Sequence, residues 1–365
     1  MNAYTVGDFY KAIEGFAPFS LAESWDNTGL LVGSPEHKVT RALVALDATS
    51  AVIREAQASG AQLIATHHPI IFSGVKKIPA ASPVYQAIQA GVAVICAHTN
   101  LDIATGGVND VLADLLGLCA PEILETTQAV PYRKVIVYTP AESAEAVYNA
   151  MVKAGAGRQG NYAGAAFLSG GEGRFKPLSG ANPAIGEIDS LTRVNEQRIE
   201  MLVTPANLPG VIAAMLEVHP YEEPAYDIFE THFDKVHSGL GRVGVLPAPM
   251  NPQDFARHVK SKLPAAGLRC VFGDAPVSRV AVCGGAGASL LEAASRKGAQ
   301  ALVTGEVKHN HMLEAKDLGL TLIDAGHYAT EAVILPKLLR NLKDTLPGAE
   351  IEIAKSCADP AVVID

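Results

Sequence analysis

The first third of the chain alternates short apolar runs with helix-like stretches. Apolar runs at 42–46, 61–66 and 92–97 read as buried strands. Residues 50–58, with Ser50 as the expected cap, and about 83–90 read as helices stopped by Gly60 and Gly91, and a further helix is expected at 108–116. Strand–helix alternation with short connections predicts a parallel α/β sheet. The last third repeats the pattern, with strands expected at 280–283, 301–304 and 320–324. Helices are expected at about 289–297 and 309–317, with a long one at about 329–343. The repeat extends to identities. Gly60-Ala61-Gln62 with Thr66 aligns with Gly298-Ala299-Gln300 with Thr304 at one offset, 298 − 60 = 304 − 66 = 238. Gly91 and Gly319 then precede the next strands. Elements that stay in register in this way predict an internal duplication.

A segment of different character separates the thirds, marked by Pro121 and Pro131 before it and Pro247, Pro249 and Pro252 after it. It reads as strand (134–138), helix (142–154), two strands around Gly170-Gly171 and Arg174, strand (199–204), helix (208–218) and strand (225–230). The core of that order is β-α-β-β-α-β, the ferredoxin-like arrangement. The expected architecture is therefore α/β. Two pseudo-symmetric halves form one domain from 1–127 and 247–365, and a ferredoxin-like α+β domain is inserted at 128–246.

Composition narrows the class. The 365 residues are 48% hydrophobic, 18% charged and 6% aromatic, which suits a globular core and not a disordered chain. A net charge of −9 without a basic tract argues against nucleic-acid partners and anionic membranes. No long apolar run or basic-then-apolar leader is visible, so a cytoplasmic protein is expected. The five cysteines are scattered with no CxxC pair, which speaks against a disulfide framework or a zinc knuckle.

The candidate chemistry sits at expected strand ends, where open α/β sheets bind ligands. Thr66-His67-His68-Pro69 ends one strand, and Ala97-His98-Thr99-Asn100-Leu101-Asp102 follows the next. Taken alone, Asp102 also suits a helix N-cap. In Asp324-Ala325-Gly326-His327-Tyr328-Ala329-Thr330-Glu331, His327 and Glu331 stand four apart and share one helical face. Alone, each is as ordinary as a polar loop or a solvated pair; three such sites at three strand ends suggest one crevice. Imidazoles and carboxylates without thiolates suit zinc, manganese, iron or cobalt, and this many donors suit two ions sharing the carboxylates Asp102 and Glu331. Paired ions activate water in hydrolases. Glu306 reads as a general base or a support for a ligand, His98 as a proton carrier or orienting group, and Asp47 as an orienting group. Gly239-Leu240-Gly241-Arg242-Val243-Gly244 matches GxGxxG, but no helix is expected after it, so a dinucleotide site is rejected. Gly284-Gly285-Ala286-Gly287, between strand and helix, is a better place for a phosphate.

Trp25-Asp26-Asn27-Thr28-Gly29-Leu30, Thr66-His67-His68-Pro69, His98-Thr99-Asn100-Leu101-Asp102, Thr304-Gly305-Glu306 and His327-x3-Glu331 together resemble the dinuclear-metal toroid family. Its members are often named GTP cyclohydrolase 1 type 2 homologues or Nif3-like proteins. The resemblance implies a homohexameric ring with two divalent ions per subunit, held by His67, His68, Asp102, His327 and Glu331. An open two-metal site points to a metal-dependent hydrolase acting on a nucleotide or related compound, with GTP cyclohydrolase-type ring opening as the candidate that the family name offers; the alternative is a non-catalytic regulator or scaffold whose insert binds a small ligand or partner. The middle segment resembles the insert of longer members, similar to trimeric signal-transduction and CutA-like folds, through Gly160-Asn161-Tyr162, Phe175-Lys176-Pro177 and His219-Pro220-Tyr221-Glu222-Glu223-Pro224-Ala225-Tyr226-Asp227. In that last motif His219 and the two glutamates are candidate ligands, set against an ordinary turn between Pro220 and Pro224.

Overall fold

Strands Leu63–Thr66, Ala93–Cys96, Ala301–Thr304 and Thr321–Asp324 are buried at every position. Strands so uniformly buried belong to parallel sheets covered on both faces. The structure, a computed structural model, describes residues 4–364, apart from the side chains of Phe233 and Asp234. It divides into two compact units, 1–127 with 238–365, and 128–237. Residues 238–246, which the sequence assigned to the insert, therefore belong to the first unit.

The first unit contains two parallel sheets of matching plan. In one, Arg41–Ala45, Leu63–Thr66 and Ala93–Cys96 run parallel, with Gly29–Val32 antiparallel at the edge beside Ala93–Cys96. In the other, Val277–Val282, Ala301–Thr304 and Thr321–Asp324 run parallel, with Arg269–Val271 antiparallel at the matching edge. Side chains alternate between two cores. Val44, Ala65 and Ile95 pack on one face of the first sheet, and Leu43, Ala45, Ile64 and Val94 on the other.

The aligned glutamines perform the same task in each half. Gln62 Oε1 accepts from the Thr40 and Arg41 amides at 2.9 and 3.1 Å, while its Nε2 donates to Gly60 O at 2.7 Å. Gln300 Oε1 accepts from the Ser278 and Arg279 amides at 3.2 and 2.8 Å, and its Nε2 donates to Gly298 O at 2.8 Å. Gly60 and Gly298 each take a φ of 71° after a helix, a left-handed conformation that glycine adopts without strain.

Three elements depart from the sequence expectation. Thr49, not Ser50, caps helix Ser50–Ser59, its side chain accepting from the Val52 amide. The long helix expected at 329–343 is broken into His327–Glu331, a 3-10 turn at Ala332–Ile334, and Leu335–Thr345. Pro336 has no N–H to continue a helix and is tolerated only in its first turn, where it stands. In the insert, Gly170-Gly171 does not separate two strands. Ala166–Phe175 is one strand, paired antiparallel along its whole length with Thr192–Val203.

The second unit places Ala166–Phe175 at one edge, then Thr192–Val203, then the part of Cys119–Pro140 within this unit, then the first part of Tyr226–Met250. Helices Ala144–Lys153 and Leu208–Val218 pack together over a core that includes Val135, Val147, Ile199 and Met215. This is the β-α-β-β-α-β order with its split β-α-β unit. Among the described residues, no helix is long and apolar enough to cross a membrane.

Candidate metal centre

Four parallel strands of the first unit release polar residues past their carboxyl ends. His67 and His68 follow Leu63–Thr66, His98 and Asp102 follow Ala93–Cys96, Glu306 follows Ala301–Thr304, and His327 follows Thr321–Asp324. Asp102 is no N-cap: it lies inside the short buried helix Thr99–Ile103. His327 opens the helix that Glu331 ends, which sets His327 Nε2 3.0 Å from Glu331 Oε2.

These residues form overlapping groups whose ligand atoms lie within 4.8 Å of one another. His67, Asp102 and Glu331 make one, His68, His327 and Glu331 a second, and His67, His68 and His98 a third. Glu331 reaches toward two sides. Its Oε1 is 3.7 Å from His67 Nε2, and its Oε2 is 2.8 Å from His68 Nε2. Asp102 Oδ1 is 3.6 Å from His67 Nε2, and Asp102 belongs to the first group only. Glu331 is the member shared by the first and second groups.

The second nitrogen of each imidazole is held. Nδ1 of His67 faces Ala97 O at 2.9 Å, that of His68 faces Asp47 Oδ1 at 2.8 Å, and that of His327 faces Glu306 Oε2 at 2.8 Å. His98 Nδ1 faces Asp26 Oδ1 at 2.8 Å, and the buried Asp26 carboxylate also accepts from the Thr99 amide and hydroxyl. Such contacts fix tautomer and ring direction, as around metal-bound histidine. The role of Asp26 was not assigned from sequence, although the motif that contains it stood out. Asn109 was also missed: its Nδ2 donates to Asp102 O at 2.9 Å and its Oδ1 accepts from the Gly284 amide at 3.0 Å.

The glycine loop at 284–287 has a different job from the one expected. The Gly284, Gly285 and Gly287 amides already donate to Asn109, Thr330 and Thr304, so they do not form a phosphate cradle. A Cβ on Gly285, whose φ is 60°, would stand 2.1 Å from Glu331 Oε1. Position 285 is glycine because Glu331 occupies the space, and a Cβ at Gly287 would meet Cys283 and Thr304. The GxGxxG segment lies within strand Tyr226–Met250, in keeping with its rejection as a dinucleotide site.

The electrostatics are those of a cation site. Burial disfavours a charged His68 ring, yet Asp47 and Glu331 raise it to about 10, and the Glu331 hydrogen bond, against burial, raises His327 to about 9. Burial and the neighbouring Glu331 push Asp102 up to about 6. Glu331 is held well below the usual range, despite burial, by His67, His327 and His68. His67 Nε2 and Asp102 Oδ1 are buried without a hydrogen-bond partner, a costly state that a bound cation would relieve. The donor set fits one or more divalent ions of borderline softness.

Paired parallel sheets whose strand ends converge on shared histidines and carboxylates define an α/β protein equipped to hold metal ions. The chain belongs to the Duf34/NIF3 (NGG1p interacting factor 3) family, whose model matches residues 4–361. It is similar to a Bacillus subtilis protein named GTP cyclohydrolase 1 type 2 homolog, with 41% identity over 358 residues and 96% of each chain covered. Among solved structures it resembles a Bacillus cereus protein related to NIF3, with a TM-score of 0.89, 36% identity and all of both chains covered. A Staphylococcus aureus protein matches with a TM-score of 0.72 and 32% identity, again over all of both chains.

Proposed function

We propose that the chain binds two divalent ions, zinc, manganese or iron, and uses them to hydrolyse a nucleotide or related compound, with GTP cyclohydrolase-type ring opening as the candidate reaction. The names borne by relatives such as the Bacillus subtilis protein support that candidate. The observation that carries the reading is Glu331, which offers one oxygen to the His67 and Asp102 side and the other to His68 and His327. His67, Asp102 and Glu331 would hold one ion; His68, His327 and Glu331 the other. Divalent ions supply Lewis acidity that activates water and offsets charge on carbonyl or phosphoryl oxygens.

The chain's own residues supply the rest. Asp26 fixes His98 through Nδ1 and leaves Nε2 to move a proton. Glu306, whose Oε2 is committed to His327 Nδ1, acts first as a positioning residue. Trp25 and Phe72, 58% and 57% exposed, stand with ring centroids 6.0 Å apart and each just over 6 Å from His98. They offer a planar heterocycle an apolar wall beside the donor cluster. Metal-loaded protein is to be assayed against GTP, phosphodiesters and cyclic amides. Turnover above that of a His67→Ala, His68→Ala double variant supports the reading, and turnover no higher than that control rejects it.

A second reading, a regulator or scaffold, is favoured by the origin of the donors in both halves, since ions would then pin the halves together. A chelator separates the two. An enzyme loses turnover and stays folded, whereas a scaffold melts or dissociates. The assembly proposed is a homohexamer, and strand Ala166–Phe175, at a sheet edge, is the kind of element that assembly covers. Its mass in solution is then near six times 38.2 kDa, and a monomer at micromolar concentration refutes it.

A further inference from the structure

Two insert motifs that the metal centre does not use meet in one place. Phe175 and Pro177 come from the first, and Tyr221, Glu222 and Glu223 from the second. With Tyr138, Glu196 and the 178–185 segment they line a cavity of about 530 Å³ inside the second unit. That size is ordinary for a small-molecule site.

The cavity is built, not incidental. His219 is buried and uses both nitrogens on backbone, Nε2 against Tyr138 O at 3.0 Å and Nδ1 accepting from the Tyr221 amide at 3.1 Å. Its ring is therefore committed to the turn and is no free ligand, which is the ordinary-turn reading of this motif. Glu222 Oε2 accepts from the Asn182 amide at 2.9 Å and so anchors the 178–185 segment. Phe175 and Tyr221 meet edge to face at 5.6 Å. Tyr221 donates its hydroxyl to Glu196 Oε1 at 2.8 Å. Glu196 takes this position beside Gly173, where a Cβ would lie 2.2 Å from Glu196 Oε2 and displace its carboxylate. This is the same glycine-containing strand that the sequence suggested was interrupted.

The charge balance selects the ligand. Arg174 lines the cavity but is engaged by Glu172 at 2.6 Å, so the carboxylates of Glu196, Glu222 and Glu223 leave a negative surplus beside aromatic rings. Rings together with carboxylates recognise ammonium and guanidinium groups on apolar or planar bodies. We propose that this cavity binds an organic cation, an ammonium or guanidinium carried on an apolar or aromatic body, with Glu196 as its counter-charge and Tyr221 and Phe175 as its wall.

The test uses full-length protein and three probes of one shape class: benzyltrimethylammonium, benzyl alcohol and phenylacetate, titrated by calorimetry. The cation is expected to bind saturably and about tenfold tighter than the alcohol, with phenylacetate weakest. Glu196→Gln, confirmed folded by its melt, is expected to remove that preference. Gly173→Ala, which displaces Glu196 without altering charge, is expected to weaken the cation as well. Glu331→Ala in the first unit should change nothing here. Phenylacetate binding as tightly as the cation overturns the proposal without any variant. So does the absence of saturable cation binding at millimolar concentration, or a preference that survives in a folded Glu196→Gln protein.

Discussion

At the residue scale, Glu331 and Asp102 look alike in sequence and differ in place. Glu331 borders both donor groups; Asp102 borders one. Glu331→Ala is expected to cut metal content at both positions, while Asp102→Ala or His68→Ala mainly empties one. Metal per subunit after identical reconstitution reads this directly, and full retention of two ions in Glu331→Ala would place the site elsewhere. Gly285→Ala sets a Cβ against the Glu331 carboxylate in a left-handed backbone conformation. It should cost about 1–3 kcal/mol in thermal or urea melts and lower metal content in the same preparation.

Protonation at these residues gives a pH dependence of definite sign. In ion-free protein the raised values of His68, about 10, and His327, about 9, contribute stability that is fully present below the unfolded histidine value of about 6.5. That contribution is lost as pH rises through 9 to 10, so the melting temperature of chelated protein should fall across this range. Ions need the neutral rings, so loading releases protons and apparent affinity climbs with pH. Calorimetry in buffers of different ionisation enthalpy counts those protons; loading without proton release would contradict the assigned donors.

At the element scale, the paired glutamines are the plainest trace of duplication. Each accepts from two successive amides near the start of a parallel strand. Gln62→Ala and Gln300→Ala should each destabilise by about 1 kcal/mol, to similar extents, in equilibrium unfolding. Unequal effects would mean that the two clamps are not equivalent. The elements best read from sequence were those with their own punctuation: apolar strands too short to be helices, and helices that end at Gly60 and Gly91. The breaks were harder. Pro336 divides a helix whose periodicity continues across it. Gly170-Gly171 looks like a turn and is strand, because pairing with Thr192–Val203 outweighs the local preference and Gly173 makes room for Glu196. The five candidate donors were legible because they lie on the segments that follow strand ends. Asp26 and Asn109 were not, because their partners are distant in sequence and known only once the chain is folded.

At the scale of the whole molecule, the two matching sheets are not chemically equal. At the register where one half carries His67 and His68, the other carries Gly305 and Glu306. The duplicated scaffold is symmetric and its donors are divided: His67, His68 and Asp102 from the first copy, His327 and Glu331 from the second. This bears on the order of events during synthesis. A ribosome delivers the first three donors early and the last two only after the entire insert has been made. The donor set reached through Glu331 cannot exist on a nascent chain whose second copy is still untranslated. Any ion held through Glu331 would therefore be loaded only after the second copy is translated, and a polypeptide released short of that copy is left without this carboxylate.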